Sequence, residues 1–220
     1  MIPLLLALSV ADAPAQTPIE AERAFAADAK TIGQWTAFRK WSTDDAVMFV
    51  PQPTNAHDFL KDRKDPPQAI DWWPTASYVS CDGKTAVNTG GWKRPDGTVG
   101  YFTTFWKRQP DGTWKWILDS GDTTALPRKR TSQPVVRAAT CPGPALAPPA
   151  FQEVGPPGTQ TVEEVFDNAA DGSISWHWIR WSGGLRELTV EITDKGKLTP
   201  SGLEGGAREV VIRDRVMPPK

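Results

Sequence analysis

Residues 97–122 restrict the fold of this chain more than any other stretch. Apolar and polar residues alternate over Val99–Arg108 and again over Trp114–Asp119, and a Pro-Asp-Gly sequence at 110–112 separates the two runs. Alternation with a period of two is typical of β-strands. An Asp-Gly pair between two such runs is typical of a tight turn, because glycine tolerates the positive φ that the turn needs. The stretch therefore predicts a β-hairpin.

The residues before this hairpin predict helices first and further strands after them. Thr17, Pro18 and Glu20 match a helix start with a capping box, in which the threonine and glutamate side chains each bond the other's backbone N–H. Apolar residues at helical spacing continue from there, and Gly33 predicts a bend before a second helix. Helices followed by antiparallel strands indicate an α+β fold with helices on one sheet face. The predicted elements are helices at 18–32, 34–41 and 55–62 and strands at 46–50, 76–81 and 85–93.

The second half of the chain predicts a linker and a small β unit. Many of the 21 prolines fall within 127–157, a composition typical of an extended linker rather than a packed core. Four alternating runs follow, at 161–166, 173–181, 186–193 and 208–216. A unit over 158–220 is too small for a comfortable core of its own. We therefore expect it to pack on the first domain or on a second subunit.

The N-terminus predicts a secretory signal peptide over 1–15. An apolar run at 2–11 is too short to span a membrane, and Ala13-Pro14-Ala15 places small residues where a signal peptidase cuts. No Lys or Arg precedes the run, so either the terminal amine supplies the positive charge or the start codon is placed wrongly. The alternative to export is the frayed apolar N-terminus of a cytoplasmic protein. We expect a periplasmic or secreted protein, with no membrane span in its mature part.

The only two cysteines, Cys81 and Cys141, leave two interpretations open. In an oxidising compartment they could form one disulfide that pins the linker to the first domain. Closing a loop of this size contributes on the order of 4 kcal/mol in the chain-entropy model. The alternative is one cysteine buried in a strand and one free cysteine in a loop.

Two segments carry a resemblance to a known superfamily. The helix sequence GQWTAFRKW at 33–41 and the strand sequence from Gly90 to Asp122 resemble the nuclear transport factor 2-like superfamily, in particular its small bacterial ligand-binding or polyketide-cyclase-like members. The resemblance covers about 18–124, within a predicted domain at 16–126. It implies a cone-shaped, curved antiparallel sheet wrapped around the N-terminal helices, with a pocket at the open end. This fold hosts several enzyme classes and also binders, so the resemblance does not choose a function.

The implied pocket has candidate aromatic walls, but the alternation of side chains along the strands does not show which sheet face lines it. Tyr101 and Phe105 share one face of their strand, while Phe102 and Trp106 share the other, so both faces are apolar. The helices cover one face, and a partner subunit or the C-terminal β unit must cover the other. Aromatic walls suit a small apolar or aromatic ligand. The candidates for ligand contact are Trp35, Phe38, Trp73, Trp92, Tyr101 and Phe105, with Trp72 beside them.

Asp119 is the best candidate for a catalytic group. A carboxylate in an apolar strand could have a raised pKa and act as a base. The alternative is that it only accepts hydrogen bonds in a turn. The superfamily's enzymes place a Tyr or Asp/Arg sets in the pocket, but the first helix here has no Tyr, so no catalytic residue can be transferred. His57 and His177 are isolated, and nothing matches a zinc, phosphate-loop or dinucleotide motif, so no metal or cofactor is predicted.

Three functional hypotheses follow. The first is an exported, non-catalytic protein that binds a small apolar molecule. The second is a lyase-, isomerase- or cyclase-like enzyme with Asp119 as general base. The third is a structural or dimerisation module that forms a homodimer through the sheet. The formal net charge of -1 gives no reason to expect nucleic-acid binding.

Overall fold

A computed structural model describes residues 15–142, 155–194 and 207–216. All but the last residue of the predicted signal peptide lies outside the described residues, as does the 143–154 part of the predicted linker. The described part has an α+β architecture, with helices packed inside a large curved sheet and a second, smaller sheet outside it. The predicted fold class is therefore confirmed.

The helices begin where the capping signals predict. In α1 (Pro18–Thr31), Thr17 Oγ1 accepts a hydrogen bond from Glu20 N at 3.3 Å, and the Glu20 carboxylate accepts one from Thr17 N at 2.8 Å. Gly33, with φ of 104°, separates this helix from α2 (Gln34–Trp41). A short α3 (Ala56–Leu60) follows. The predicted capping box and bend are thus both present.

The first sheet has seven strands in the described part of the chain, ordered β2-β1-β6-β5-β4-β3-β7. The predicted hairpin forms its centre, and β1 pairs with its second strand in parallel. The strands are β1 (Ser42–Phe49), β2 (Pro53–Asn55), β3 (Asp71–Val79), β4 (Thr85–Lys93), β5 (Val99–Arg108), β6 (Trp114–Thr123) and β7 (Val135–Ala138).

The second sheet contains the four C-terminal strands, ordered β11-β10-β9-β8, all antiparallel. Their bounds match the four predicted alternating runs to within about two residues. The strands are β8 (Thr161–Asn168), β9 (Ile174–Trp181), β10 (Arg186–Asp194) and β11 (Ala207–Val216).

The second sheet packs on the outer face of the first. Phe49 stacks on Trp178 with ring centroids 4.5 Å apart, and Phe105 lies 4.7 Å from Trp176. On the inner face, Phe25 of α1 contacts aromatic rings of the first sheet. Both apolar faces of the sheet are therefore covered within one chain. Of the two alternatives from the sequence, the C-terminal β unit rather than a partner subunit covers the second face. A homodimer through this face is not needed to bury it.

A disulfide and backbone hydrogen bonds also join the two sheets. Cys81 and Cys141 are disulfide-bonded, with Cα atoms 5.0 Å apart. Cys81 N donates to Ser173 Oγ at 2.9 Å, and Thr140 N donates to the Thr193 carbonyl at 3.0 Å. The disulfide therefore lies where the first sheet, the chain after β7 and the second sheet meet.

Part of the predicted linker belongs to the first sheet. Strand β7 pairs in parallel with β3, from Ala76 opposite Val135 to Val79 opposite Ala138. The proline-rich composition gives no signal for this pairing, because the strand is only four residues long and three of its residues are exposed.

No helix in the described ranges is long and apolar enough to cross a membrane.

Candidate functional site

A cavity of about 340 Å³ lies between the helices and the inner face of the first sheet. Residues of α1, of α2 and of both hairpin strands line it. The wall of this inner part is mainly aromatic and aliphatic and carries two carboxyl groups. The inner wall includes Glu22, Phe25, Trp35, Phe38, Met48, Ile70, Trp72, Trp92, Phe102, Thr104 and Asp119.

A β-bulge places Asp119 on this inner face. In the pairing of β5 with β6, Trp106 lies opposite Trp116, but Phe105 lies opposite Leu118, so Ile117 is an extra residue. The extra residue reverses the side-chain alternation of the strand. Without it Asp119 would face outward, away from Trp116. With it the Asp119 carboxyl lies on the same face as Thr104 and the helices.

Asp119 has few partners and opens onto the cavity. Thr104 Oγ1 donates a hydrogen bond to Asp119 Oδ1 at 2.9 Å, and no other hydrogen bond reaches this carboxyl from the described residues. The residue is only partly exposed. Burial raises the pKa of the Asp119 carboxyl to about 7, against the smaller lowering effect of the Thr104 hydrogen bond.

Glu22 is the functional candidate that the sequence reasoning missed. Its side chain is fully buried at 0% exposure, and it accepts hydrogen bonds from the indole N–H groups of Trp72 and Trp106, both at 2.9 Å, and from the Asn88 amide at 3.3 Å. Burial raises the pKa of Glu22 to about 7, the three hydrogen bonds lower it, and the charge of Asp119 raises it. A signal was present, because Glu22 falls within the apolar stripe of α1.

Four of the predicted aromatic residues line the inner cavity, namely Trp35, Phe38, Trp92 and the adjacent Trp72. Trp35 and Phe38 of α2 meet edge to face with ring centroids 5.5 Å apart, and Phe38 lies 4.8 Å from Phe25. Trp92 of β4 lies on the same face, and its indole N–H donates to the Tyr101 carbonyl at 2.8 Å. These rings hold each other in place and leave a preformed apolar wall.

The cavity also extends around a sheet edge to the outer face. The pairing of β1 with β6 ends at Met48 opposite Asp119, so the last four residues of β6 have no partner on that side. Tyr101, another predicted ligand contact, lies on the outer face here. Burial raises the pKa of its hydroxyl above the usual range, and the Arg128 guanidinium lies 4.9 Å from its ring centroid. This outer part of the cavity is closed by Trp178, Arg186, Glu187, Leu188, Asp214 and Val216 of the second sheet.

Two predicted ligand contacts, Phe105 and Trp73, do not line this cavity. Both point to the outer face because of strand alternation. Phe105 is fully buried against Trp176 of the second sheet. Trp73 lies under the guanidinium of Arg130, 4.2 Å from its ring centroid, whereas its neighbour Trp72 faces inward. Neither residue belongs to the aromatic wall of the cavity.

The two histidines lie apart from the cavity wall. His57 Nε2 is 2.9 Å from Ser42 Oγ, and His177 Nε2 is 3.4 Å from a carboxylate oxygen of Glu164 in the second sheet. Within the described residues, no group of three or more His, Cys, Asp or Glu side chains is arranged to hold a metal ion.

No family model and no curated protein matches this sequence. Solved structures that match part of this chain include a protein provisionally called a ketosteroid isomerase from Parabacteroides distasonis, with 19% identity and a TM-score of 0.39 over 49% of this chain and 85% of that chain. A protein provisionally called an aromatic ring hydroxylase from Novosphingobium aromaticivorans has 19% identity and a TM-score of 0.36 over 51% and 94%. The CaMKII hub of S. rosetta has 19% identity and a TM-score of 0.39 over 52% and 100%. These likenesses are too distant to carry a function to this chain.

Proposed function

We propose that this protein binds a small, mainly apolar molecule in its aromatic cavity, and that Asp119 exchanges a proton with that molecule. The reaction class that fits is isomerase-, lyase- or cyclase-like chemistry. The observation that carries the proposal is the bulge in β6, which turns the Asp119 carboxyl from the outer face into the cavity.

The wall of the cavity supports the choice of ligand. A volume of about 340 Å³ lies within the range of sites for small organic molecules. Trp35, Phe38, Trp92 and Phe102 present ring faces and edges to this space. Such a wall favours a flat apolar body, because aromatic contacts stabilise it beyond the simple burial of area.

The surroundings of Asp119 support the proton transfer. A general base works best when its pKa is near the working pH, because it can then both accept and return a proton. The pKa of about 7 meets this condition. One carboxylate oxygen is held by Thr104, and the other has no hydrogen-bond partner among the described residues. That oxygen is available to a ligand in the cavity.

Exchange of carbon-bound hydrogen provides a direct test. The probe is 2-tetralone, an apolar bicyclic ketone with acidic C–H bonds, incubated in D₂O and followed by NMR. We expect the protein to accelerate deuterium uptake at the carbons beside the carbonyl. Asp119→Asn keeps the acceptor for Thr104 but cannot take a proton, so we expect the protein-dependent rate to fall about 100-fold or more. Asp62→Asn, at an exposed position outside the cavity, is the matched control and should leave the rate unchanged.

The second candidate is a binding protein without catalysis, which the aromatic wall alone would satisfy. Quenching of tryptophan fluorescence by 2-tetralone measures binding separately from exchange. Binding with equal exchange rates for the wild-type and Asp119→Asn proteins would refute the catalytic role and favour this candidate.

We also propose that residues 18–124 form a nuclear transport factor 2-like domain. The support is the placement of α1 and α2 inside the curved sheet, with the cavity between them. An experimental structure of the full chain that superimposes poorly on members of that superfamily would contradict this proposal.

Export is a further part of the proposed function. The apolar run at 2–11 motivates it, and the disulfide between Cys81 and Cys141 fits an oxidising compartment. Expression with the native N-terminus, followed by fractionation and mass spectrometry, should find a mature protein that begins at Gln16 in the periplasm or medium. Recovery of the uncleaved chain in the cytoplasm would refute export.

A further inference from the structure

The charges around the cavity are not evenly distributed. In its outer part each acid has a cation: Asp122 pairs with Arg186, Asp214 pairs with Arg128 at 2.8 Å, and Glu187 pairs with Arg215 at 2.6 Å. The inner part holds Glu22 and Asp119, and no cation of the described residues forms an ion pair with either. The inner end of the cavity is therefore the place where a bound anion would be repelled.

Arg94 lies away from this inner end, because it follows the last residue of β4 and its N–H donates to the Thr98 carbonyl, whereas Asp119 lies opposite Thr104, further along β5. Its guanidinium carbon is 4.9 Å from the ring centroid of Trp92, and that ring is fixed by its hydrogen bond to the Tyr101 carbonyl. The side chain is exposed and lines the cavity. No carboxylate among the described residues lies within ion-pair distance of it. Arg94 therefore offers charged N–H donors at the cavity entrance, and its contact with the Trp92 ring holds the side chain there.

We propose that the ligand carries one anionic group, which Arg94 binds at the mouth while the apolar body of the ligand lies against Trp35, Phe38 and Trp92. This inference rests on the proposed binding function and adds the chemical class of the ligand. A guanidinium presents several N–H donors in a plane, which suits a carboxylate or a similar oxyanion.

The charge distribution also sets the orientation of the ligand. Where Glu22 and Asp119 are ionised, an anionic group beside them is repelled, because like charges repel strongly in a poorly solvated space. The end of the ligand that enters first is therefore neutral, and it reaches Asp119. An anion at Arg94 and a proton exchanged at Asp119 belong to opposite ends of the same molecule.

Two fluorescent probes with the same ring system test this inference in the full chain. 8-Anilinonaphthalene-1-sulfonate carries one anionic group, and N-phenyl-1-naphthylamine lacks it. Dissociation constants for both are measured by titration at low and at physiological salt, with mutual displacement to show a shared site. The variant is Arg94→Gln, which removes the charge and keeps most of the stem. Arg63→Gln is the matched control, because Arg63 also stacks on an aromatic ring, 3.8 Å from the centroid of Phe59, but outside this cavity.

We expect Arg94→Gln to weaken binding of the sulfonate probe about tenfold, as the loss of a charge-assisted hydrogen bond implies. The neutral probe should bind the wild-type and variant proteins equally, and Arg63→Gln should change neither affinity. Added salt should weaken only the sulfonate probe. If the neutral probe binds but Arg94→Gln leaves the sulfonate probe unaffected, the inference about the anion is wrong and apolar binding stands. If neither probe binds, the proposed binding function fails together with this inference.

Discussion

Asp119→Asn should make the protein more stable at alkaline pH, and the size of the gain follows from the surroundings of the carboxyl. The pKa of Asp119 is raised from 3.8 to about 7. The folded protein therefore holds a proton on Asp119 that the unfolded chain releases between these values. The stability that this proton contributes is complete below pH 3.8 and is lost as the pH rises through 7. An asparagine is neutral throughout and does not lose it.

A pKa raised from 3.8 to about 7 in the folded protein lowers the free energy of unfolding by about 4 kcal/mol as the pH rises from below 3.8 to above 7. Asp119 is partly exposed to the cavity, so solvent in the cavity reduces the effect, and we expect a gain of about 2 kcal/mol for the variant at pH 8. At pH 4 the folded wild-type protein carries a protonated Asp119, and the two proteins should have similar stability. Both proteins retain Glu22, but the charge of Asp119 raises the pKa of Glu22, so the difference between them includes this smaller coupling.

Urea unfolding at pH 4, 6 and 8, followed by the fluorescence of the 11 tryptophans, measures this difference. The expected result is a free energy of unfolding for Asp119→Asn that exceeds the wild-type value increasingly as the pH rises. Asp62→Asn should follow the wild-type curve. An equal gain at pH 4 and pH 8, or a loss of stability at pH 8, would refute the reasoning that the ionised Asp119 carboxylate is poorly solvated and has no cation beside it.

Three further predictions concern the supports of the site. Cys81→Ser should lower the free energy of unfolding by about 4 kcal/mol, as the entropy of a loop of 60 residues implies, and a reductant should do the same to the wild-type protein in urea unfolding. Arg128→Met should cost about 3 kcal/mol, since it leaves the buried Asp214 carboxylate without its cation, and adding Asp214→Asn should restore much of this in a double-mutant cycle. Thr17→Ala should cost about 1 kcal/mol in thermal unfolding through loss of the helix cap, whereas Thr113→Ala, at an exposed turn, should cost less.

The elements of this fold could be predicted because their signals are local. The capping box at Thr17 and Glu20, the bend at Gly33 and the turn at 110–112 each act over four residues or fewer, and the structure contains all three. Strand β7 has no such signal. It forms because β3 offers a free edge to a short extended segment, and a free edge is a property of the assembled sheet.

The site was harder to predict because it depends on how strands pair. Simple alternation puts Asp119 on the face opposite Trp116, and only the pairing with β5 shows that Ile117 is an extra residue. The same dependence explains Phe105, a predicted ligand contact that the second sheet covers through Trp176. Glu22 could have been found, since a carboxylate within an apolar helix stripe requires buried donors, and here Trp72 and Trp106 supply them.

Because the chain's own second sheet covers the first sheet, dilution of the protein does not expose the covered face. A face that two separate subunits share becomes exposed when the protein concentration falls below the dissociation constant of the dimer. Here the covering sheet is tethered, so its docking is intramolecular, and its effective concentration is set by the connecting chain rather than by the amount of protein present. The disulfide at Cys81 shortens that tether further. The outer part of the cavity, which the second sheet closes, is therefore complete in a single chain at any dilution.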